Sequence, residues 1–461
     1  PRRSPAGRPR KGDDLTQTLE RIIGTVRAMF AAGGPGAPEL DRGLDLLEAP
    51  RRWLRLFAGN PPWADARSLG LPAAIAAEVA RLTTVELAGH IAGGARAAFL
   101  DEQLQPVLAA LRGQCEFAAA CGGIMMKPYV AGRRVAVDFV LPGGFIPTQW
   151  DGQGRITGAV FLERFSQGGA DYTRLEHHRL TDEGYVVENR AFCAGKGGGL
   201  GKETPLAAVP RWADLSPRVC LAAEGAPAGP LFSYFKLPFA NAAQPGSPLG
   251  VAVYGRAERL LEEADRQYER LLWEYEGSEL AVDASVGALD VQNGEARLPK
   301  RRLFRELAVT GADGGDLYRV FSPAIRDESL LRGLDSLLKR IEFACCLSYG
   351  TLSDPQAVAK TAEEIKMSKQ RSYSAVCDIQ KSLEGALRDL VRAMDAYATL
   401  YGLAPEGGYE AAFHFGDGVA VDTDTERAQM RLDCQAGAAA WWEYRAKFYG
   451  ESEEEARLRA D

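Results

Sequence analysis

"SPLGVAVYGRAERLLEEADRQYERLLWEYEGSE", residues 247–279, is the stretch on which the reading of the fold turns. Its apolar residues recur at three- and four-residue spacing: Leu260, Leu261, Ala264, Tyr268, Leu271, Leu272 and Tyr275 share one face of a helix. Acids crowd the other face: Glu258, Glu262, Glu263, Asp265 and Glu269. Read as helix almost throughout, the stretch gives about 28 residues and ~42 Å, long for a globular domain.

Downstream, residues 279–322 change to a β texture, with "QNG" as a hairpin turn and "TGADGGD" as a loop. A second helix is expected over 326–347, carrying Leu330, Leu331, Leu334, Leu337, Leu338 and Ile341. The loop "YGTLSDPQAVAK" (349–360) leads into the longest helix, about 361–402. That helix begins polar and basic and then becomes strictly periodic from Val376 through Ile379, Leu383, Leu387, Leu390, Met394, Tyr397 and Tyr401. A short β pair over 409–422 and a final helical segment follow.

Upstream, residues 40–126 read as largely helical, broken by the loop "GNPPW" (59–63). From about 124 to 193 short β-branched and aromatic runs alternate with Gly, Pro and Asp turn signals, an antiparallel β region. A short amphipathic helix is expected over 13–32. The basic start "PRRSPAGRPRKG" (1–12) has no apolar run behind it, so it reads as a disordered arm and not a secretory signal. The first residue is Pro, which points to processing or trimming.

The most suggestive chemical motif is "AFCAGKGGGLGKETPL" (191–206). A phosphate-binding loop needs four residues between its outer glycines and a hydroxyl after its lysine, and it must open a helix. Here five residues separate Gly195 from Gly201, Glu203 follows Lys202, and prolines come next. The run therefore reads as a flexible connection between two β segments. "EHHRL" (176–180) lacks metalloprotease spacing, and its adjacent histidines would face opposite sides of a strand. Eight cysteines without a CxxC pair read as reduced, buried thiols. No catalytic template, metal site or cofactor fingerprint emerges, and the chain reads as a non-enzyme with no cofactor. The 461 residues carry a formal charge of −7, so any contact with nucleic acid must run through local basic groups. No apolar run reaches the roughly 18–20 residues of a membrane span.

Several strings, in order, resemble the portal proteins of tailed bacteriophages of the siphovirus type. "LFSYFKLPFAN" (231–241) followed by 247–276 is similar to that family's Phe-x-x-Phe-Lys…Asn…Pro-x-Gly-x-x-x-Tyr…Asp-x-x-Tyr-Asp…Glu signature. "GNPPW" and "CGGIMMKPYV" (121–130) look like its Pro-Trp and Gly-Gly-x-x-x-Lys-Pro strings. "SDPQAVAKTAEEIKMSKQRSYSAVCDIQKSLEGAL" (353–387) resembles its Lys-Thr-Ala-x-Glu helix start, and 424–461 resembles its ending. One departure is Glu269, where the family signature has a second Asp after Tyr268. The resemblance covers about residues 45–461.

It implies an α+β portal fold: an N-terminal arm (1–44), a helical and β wing (45–246), stem helix one (247–277), and a small β-containing clip (278–325). Stem helix two (326–348), a tunnel loop (349–360), the long helix with wing strands (361–422) and a helical C-terminal crown (423–461) complete it. It implies a homo-oligomeric ring, usually of twelve, at one capsid vertex of the virion. The chain would be made in the host bacterial cytoplasm, and double-stranded DNA would be packaged and ejected through the ring. Implied partners are the terminase large subunit, the major capsid protein and head–tail adaptor proteins. The expected alternative is another structural capsid or scaffold protein without a channel. Two groups of basic residues become candidate contacts. Lys360, Lys366, Lys369 and Arg371 follow the tunnel loop and are candidates for the DNA channel. Lys300, Arg301, Arg302 and Arg305 are candidates for docking partners on the clip. An acidic stem helix with few lysines near one loop also fits a passage in which DNA should not bind tightly.

Overall fold

The structure is a computed structural model. It describes residues 43–63, 67–181, 184–195, 200–222, 227, 229–242, 244–278, 281–285, 291–292, 295–296, 304–307, 318–321, 324–354, 362–416, 423–449 and 453–459. At 222, 281–321, 362–369, 423–426, 428–429 and 453–455 only the backbone is described. The chain is α+β. Nine α-helices and several mostly antiparallel sheets are present among the described residues.

The central element is a 27-residue helix, α3 (Ala95–Cys121). It follows α1 (Glu48–Phe57), α2 (Leu71–Thr84) and the strand β1 (Ala88–Gly93). Leu100, Leu104, Val107, Leu111, Cys115 and Ala118 form its buried stripe at helical spacing. The 39-residue helix α6 (Ala362–Leu400) joins the same core through Ile379, Leu383, Leu387, Leu390 and Met394, the period read from the sequence. The expected helical run past residue 84 does not form. Thr83 and Thr84 turn their hydroxyls back onto the Val79 and Ala80 carbonyls (2.8 Å each), and the chain leaves the helix there. It becomes β1, which pairs antiparallel with β16 (Tyr409–His414), more than 300 residues away. The local pattern does not show so distant a partner. Of the β pair expected within 409–422, the first strand is β16, which pairs with β1, and residues 417–422 lie outside the described residues.

The β region matches its reading. β2 (Gly123–Ala131) lies between β3 (Arg134–Val140) and β10 (Ser233–Lys236). β4 (Phe145–Trp150), β5 (Ile156–Gln167), β6 (Ala170–Thr181), β7 (Gly184–Gly195) and β8 (Lys202–Thr204) form a meander, with β9 (Arg218–Ala222) also on β7. Phe145, Phe161, Leu175, Phe192 and Phe232 build a second core against this sheet.

Residues 247–257 are not helical, and α4 runs only from Glu258 to Gly277. Pro248 and two glycines break the start. Leu249, Val251, Ala252, Val253 and Tyr254 are apolar because they are buried as irregular chain, not because they line a helix. Gly122 caps α3 at φ +93°, and a Cβ there would lie 2.4 Å from the Gly250 carbonyl oxygen. A Cβ on Gly250 would lie 1.9 Å from the Gly122 oxygen, so the two backbones meet where neither position tolerates a side chain. The Tyr254 hydroxyl sits 2.9 Å from the Trp53 carbonyl and 2.8 Å from that of Ala120, pinning the irregular stretch to α1 and α3.

Between α4 and α5 (Asp327–Ala344) come β11 (Ala281–Ser285), β12 (Val291–Gln292), β13 (Glu295–Ala296), β14 (Phe304–Leu307) and β15 (Tyr318–Phe321). β12 and β13 pair with Gln292 opposite Glu295, as the "QNG" signal predicts. β11 is central in a three-stranded sheet, parallel to β14 and antiparallel to β15. α7 (Thr423–Gln435), α8 (Trp441–Tyr449) and α9 (Glu453–Leu458) close the chain.

Candidate functional site

α4 and α5 run antiparallel as a hairpin. Gln267 Nε2 donates to the Leu330 carbonyl (3.1 Å), and the Arg326 guanidinium binds Glu274 (2.7 Å). The expected acidic outer face of α4 is corrected. Asp265 is buried, its carboxylate accepting from Trp63 Nε1 (2.9 Å) and the Leu69 amide (2.8 Å). Glu258 accepts from the Trp53 indole and from Arg52 Nε (2.8 Å), and Glu269 from the Arg67 amide (3.2 Å). Three of the five acids thus anchor the 52–69 segment. The exposed stripe of α4 is instead Arg259, Glu263, Arg266, Arg270 and Trp273. The charge argument for a slippery acidic channel loses its basis. One signal was available, because Asp265 stands four residues after Leu261, within the apolar stripe.

α5 buries only Ile341 and Glu342 fully. Its expected apolar series is half-covered, and Leu331 and Phe343 are exposed, as are Trp273 and Tyr275 on α4. The hairpin therefore keeps apolar surface that the described residues do not cover.

The loop after α5 is tied down in its first half. Glu342, fully buried, accepts from the Leu352 amide (2.6 Å), the Ser353 amide (2.9 Å) and the Ser353 hydroxyl (2.9 Å). Asp335 accepts from the Asp354 amide (3.1 Å). Sequence reasoning placed the loop but not this bracket, because a buried Glu looks like any other acid on a helix until its partners fold back.

Of the four candidate channel residues, Arg371 is the one whose side chain is described. Its Nη2 donates to the Phe343 carbonyl (3.0 Å) and its guanidinium lies 3.6 Å from the Phe343 ring centroid. It caps the last turn of α5, where a cation opposes the negative end of the helix dipole, and staples α6 to α5. Lys366 and Lys369 lie three residues apart on α6, their side chains outside what is described, and Lys360 lies outside the described residues. On the insert, Arg305 stands on β14 opposite Asp283, while Lys300, Arg301 and Arg302 lie outside the described residues.

The glycine run joins β7 to β8 antiparallel, with Cys193 opposite Lys202. Glu203, at the position a phosphate loop reserves for a hydroxyl, is held by Arg190 through two bonds (2.9 and 2.7 Å). Residues 196–199 lie outside the described residues.

The adjacent histidines do face opposite sides of β6. His178 is buried against the Tyr185 hydroxyl (2.9 Å) and Glu176 (2.7 Å). Burial pushes its pKa down, against the pull of Glu176. Glu176 is largely covered, but the hydrogen bond from His178 and the charges of Lys127 and Arg174 hold it well below the usual carboxylate range. On the other side His177 reaches the Thr148 hydroxyl (3.2 Å), and burial, helped by Arg179, lowers its pKa to about 4. These groups form a cross-strand network that orders the sheet, not a cluster open to a ligand.

Among the described residues no group of three or more His, Cys, Asp or Glu side chains is placed to hold a metal ion, and no helix is long and apolar enough to cross a membrane. The chain matches no model of a known protein family and no curated protein sequence.

Proposed function

We propose that this chain is the subunit of a bacteriophage portal, a ring at one capsid vertex through which double-stranded DNA is packaged and ejected. The observation that carries the reading is the order and packing of the C-terminal half. A helical hairpin, α4 and α5, projects a small β insert, and a bracketed loop then leads into the 39-residue helix α6. The strings behind the sequence resemblance also meet in space. Trp63 binds Asp265, Gly122 abuts Gly250, and the Ser233 hydroxyl donates to the Ala386 carbonyl (2.6 Å). Strings scattered over some 300 residues therefore contact one another in pairs, which supports reading them as a set. In this reading the insert faces the packaging motor and the adaptors, and the exposed Trp273 and Leu331 pack against neighbouring copies.

The test is the mass of the purified chain under native conditions. The reading expects a particle near twelve times 49.8 kDa, about 600 kDa. A chain that stays monomeric across protein and salt concentration, with or without a co-expressed scaffold, contradicts it.

A further inference from the structure

Lys236, the lysine of the "SYFK" strand, stands where two clefts meet. One, of about 430 Å³, has Trp150, Phe239, Asn241 and Ser247 in its walls. The other, of about 250 Å³, runs between the 153–156 segment and α6, past Ser382 and Asp389. Both clefts include Gln153, Gly154 and Lys236. The Lys236 ammonium has three N–H groups and makes one long hydrogen bond, to the Ser247 carbonyl (3.3 Å). It forms no ion pair among the described residues. Burial works against its charge and pulls its pKa down.

The two carboxylates in the walls are engaged elsewhere. Asp151 accepts from the Gln153 and Arg155 amides of its own turn through one oxygen, Oδ1 (2.9 Å each), and makes no ion pair with Lys236. Asp389 is held by Arg155 and by Arg392 Nη2 (2.6 Å). Gly154 keeps the approach open. Its φ of +76° favours glycine, and the position a Cβ would take lies 3.6 Å from Lys236 Nζ, in contact with the ammonium, so the bare backbone leaves that side of the ammonium open. Asn241 is oriented for donation, because its Oδ1 already accepts from the Gln244 amide (3.0 Å), leaving Nδ2 for another partner.

A half-buried ammonium without a counter-ion, next to a free amide donor and aromatic walls, suits a small group bearing negative oxygens. We propose that the Lys236 cleft is an oxyanion-binding site, with Lys236 supplying the charge, Asn241 a second donor, and Trp150 and Phe239 the walls. Carboxylate and phosphate share this chemistry.

Competitive acetylation of the intact protein, read peptide by peptide by mass spectrometry, tests the site at constant pH and ionic strength. Lys381, exposed on α6, is the internal control. With inorganic phosphate or acetate at about 20 mM replacing chloride, labelling of Lys236 should slow about fivefold while Lys381 is unchanged, as a dissociation constant of about 5 mM requires. Slowing by phosphate alone assigns the site to phosphate groups, and slowing by acetate assigns it to carboxylates. As a second readout, phosphate or acetate should raise the unfolding temperature of the native protein but not that of Lys236→Met. Equal labelling rates in all three salts, or equal slowing at Lys381, overturns the proposal.

Discussion

Replacing Asp265 with Ala should release the segment that carries Trp63 without unfolding the protein. The carboxylate accepts two hydrogen bonds from a segment some 200 residues away, the Trp63 indole N–H and the Leu69 amide, both part-buried. Hydrogen bonds to a charged group contribute about 1.5–3 kcal/mol each, and the lower end applies where water reaches the donors once the acceptor is gone. Two such bonds give about 3 kcal/mol, an increase of roughly 150-fold in local opening. Hydrogen exchange read on a peptide spanning 67–70 isolates this opening from global stability. That peptide should exchange about two orders of magnitude faster, while peptides from the α3 core keep their protection. Trp63→Phe removes one donor and should cost less. Combined with Asp265→Ala it should add little, because the partners act as one unit. Unchanged exchange at 67–70, or uniform acceleration across the chain, would refute the claim that Asp265 is an anchor.

Glu342→Ala should free the bracket after α5. It removes the acceptor for three bonds, about 3 kcal/mol or more, so peptides covering 348–354 should lose protection before the rest of α5 does. Arg371→Ala should loosen the α5–α6 staple by about 1–2 kcal/mol and, if the chain forms the proposed ring, leave the salt dependence of DNA passage through it unchanged. A changed salt dependence would return Arg371 to the channel wall. His177 has a folded pKa of about 4 against an ordinary value of 6.5, so the unfolded chain binds the extra proton between those values. Its contribution is therefore full above pH 6.5 and lost as pH falls towards 4, by about 3 kcal/mol at most. His177→Gln should flatten that part of the stability–pH curve, measured by denaturant unfolding.

The elements most legible in the sequence were those whose period is set by one continuous buried face. α6 is the clearest case: from Val376 to Met394 each apolar residue named in advance is buried. The antiparallel strands β2 to β7 were also legible, because Gly, Pro and Asp turn signals separate them. What the sequence concealed depended on partners far along the chain. β1 is a strand because β16 lies beside it, and the 247–257 stretch is irregular because Tyr254 is tied to Trp53 and Ala120. The site was less legible still. A carboxylate on a helix reads as solvated until its acceptor role is known, and Asp265 and Glu342 both take their role from loops that return to them. The Arg371 contact was hidden for the same reason, since nothing in its neighbourhood along the chain announces Phe343.

Electron microscopy of the purified chain, negatively stained, tests the central claim most directly. The account predicts closed rings seen end-on with a hole wide enough for duplex DNA, and side views with a narrow stalk built from the α4–α5 hairpins. Monomers, open filaments or closed particles without a central hole would contradict it.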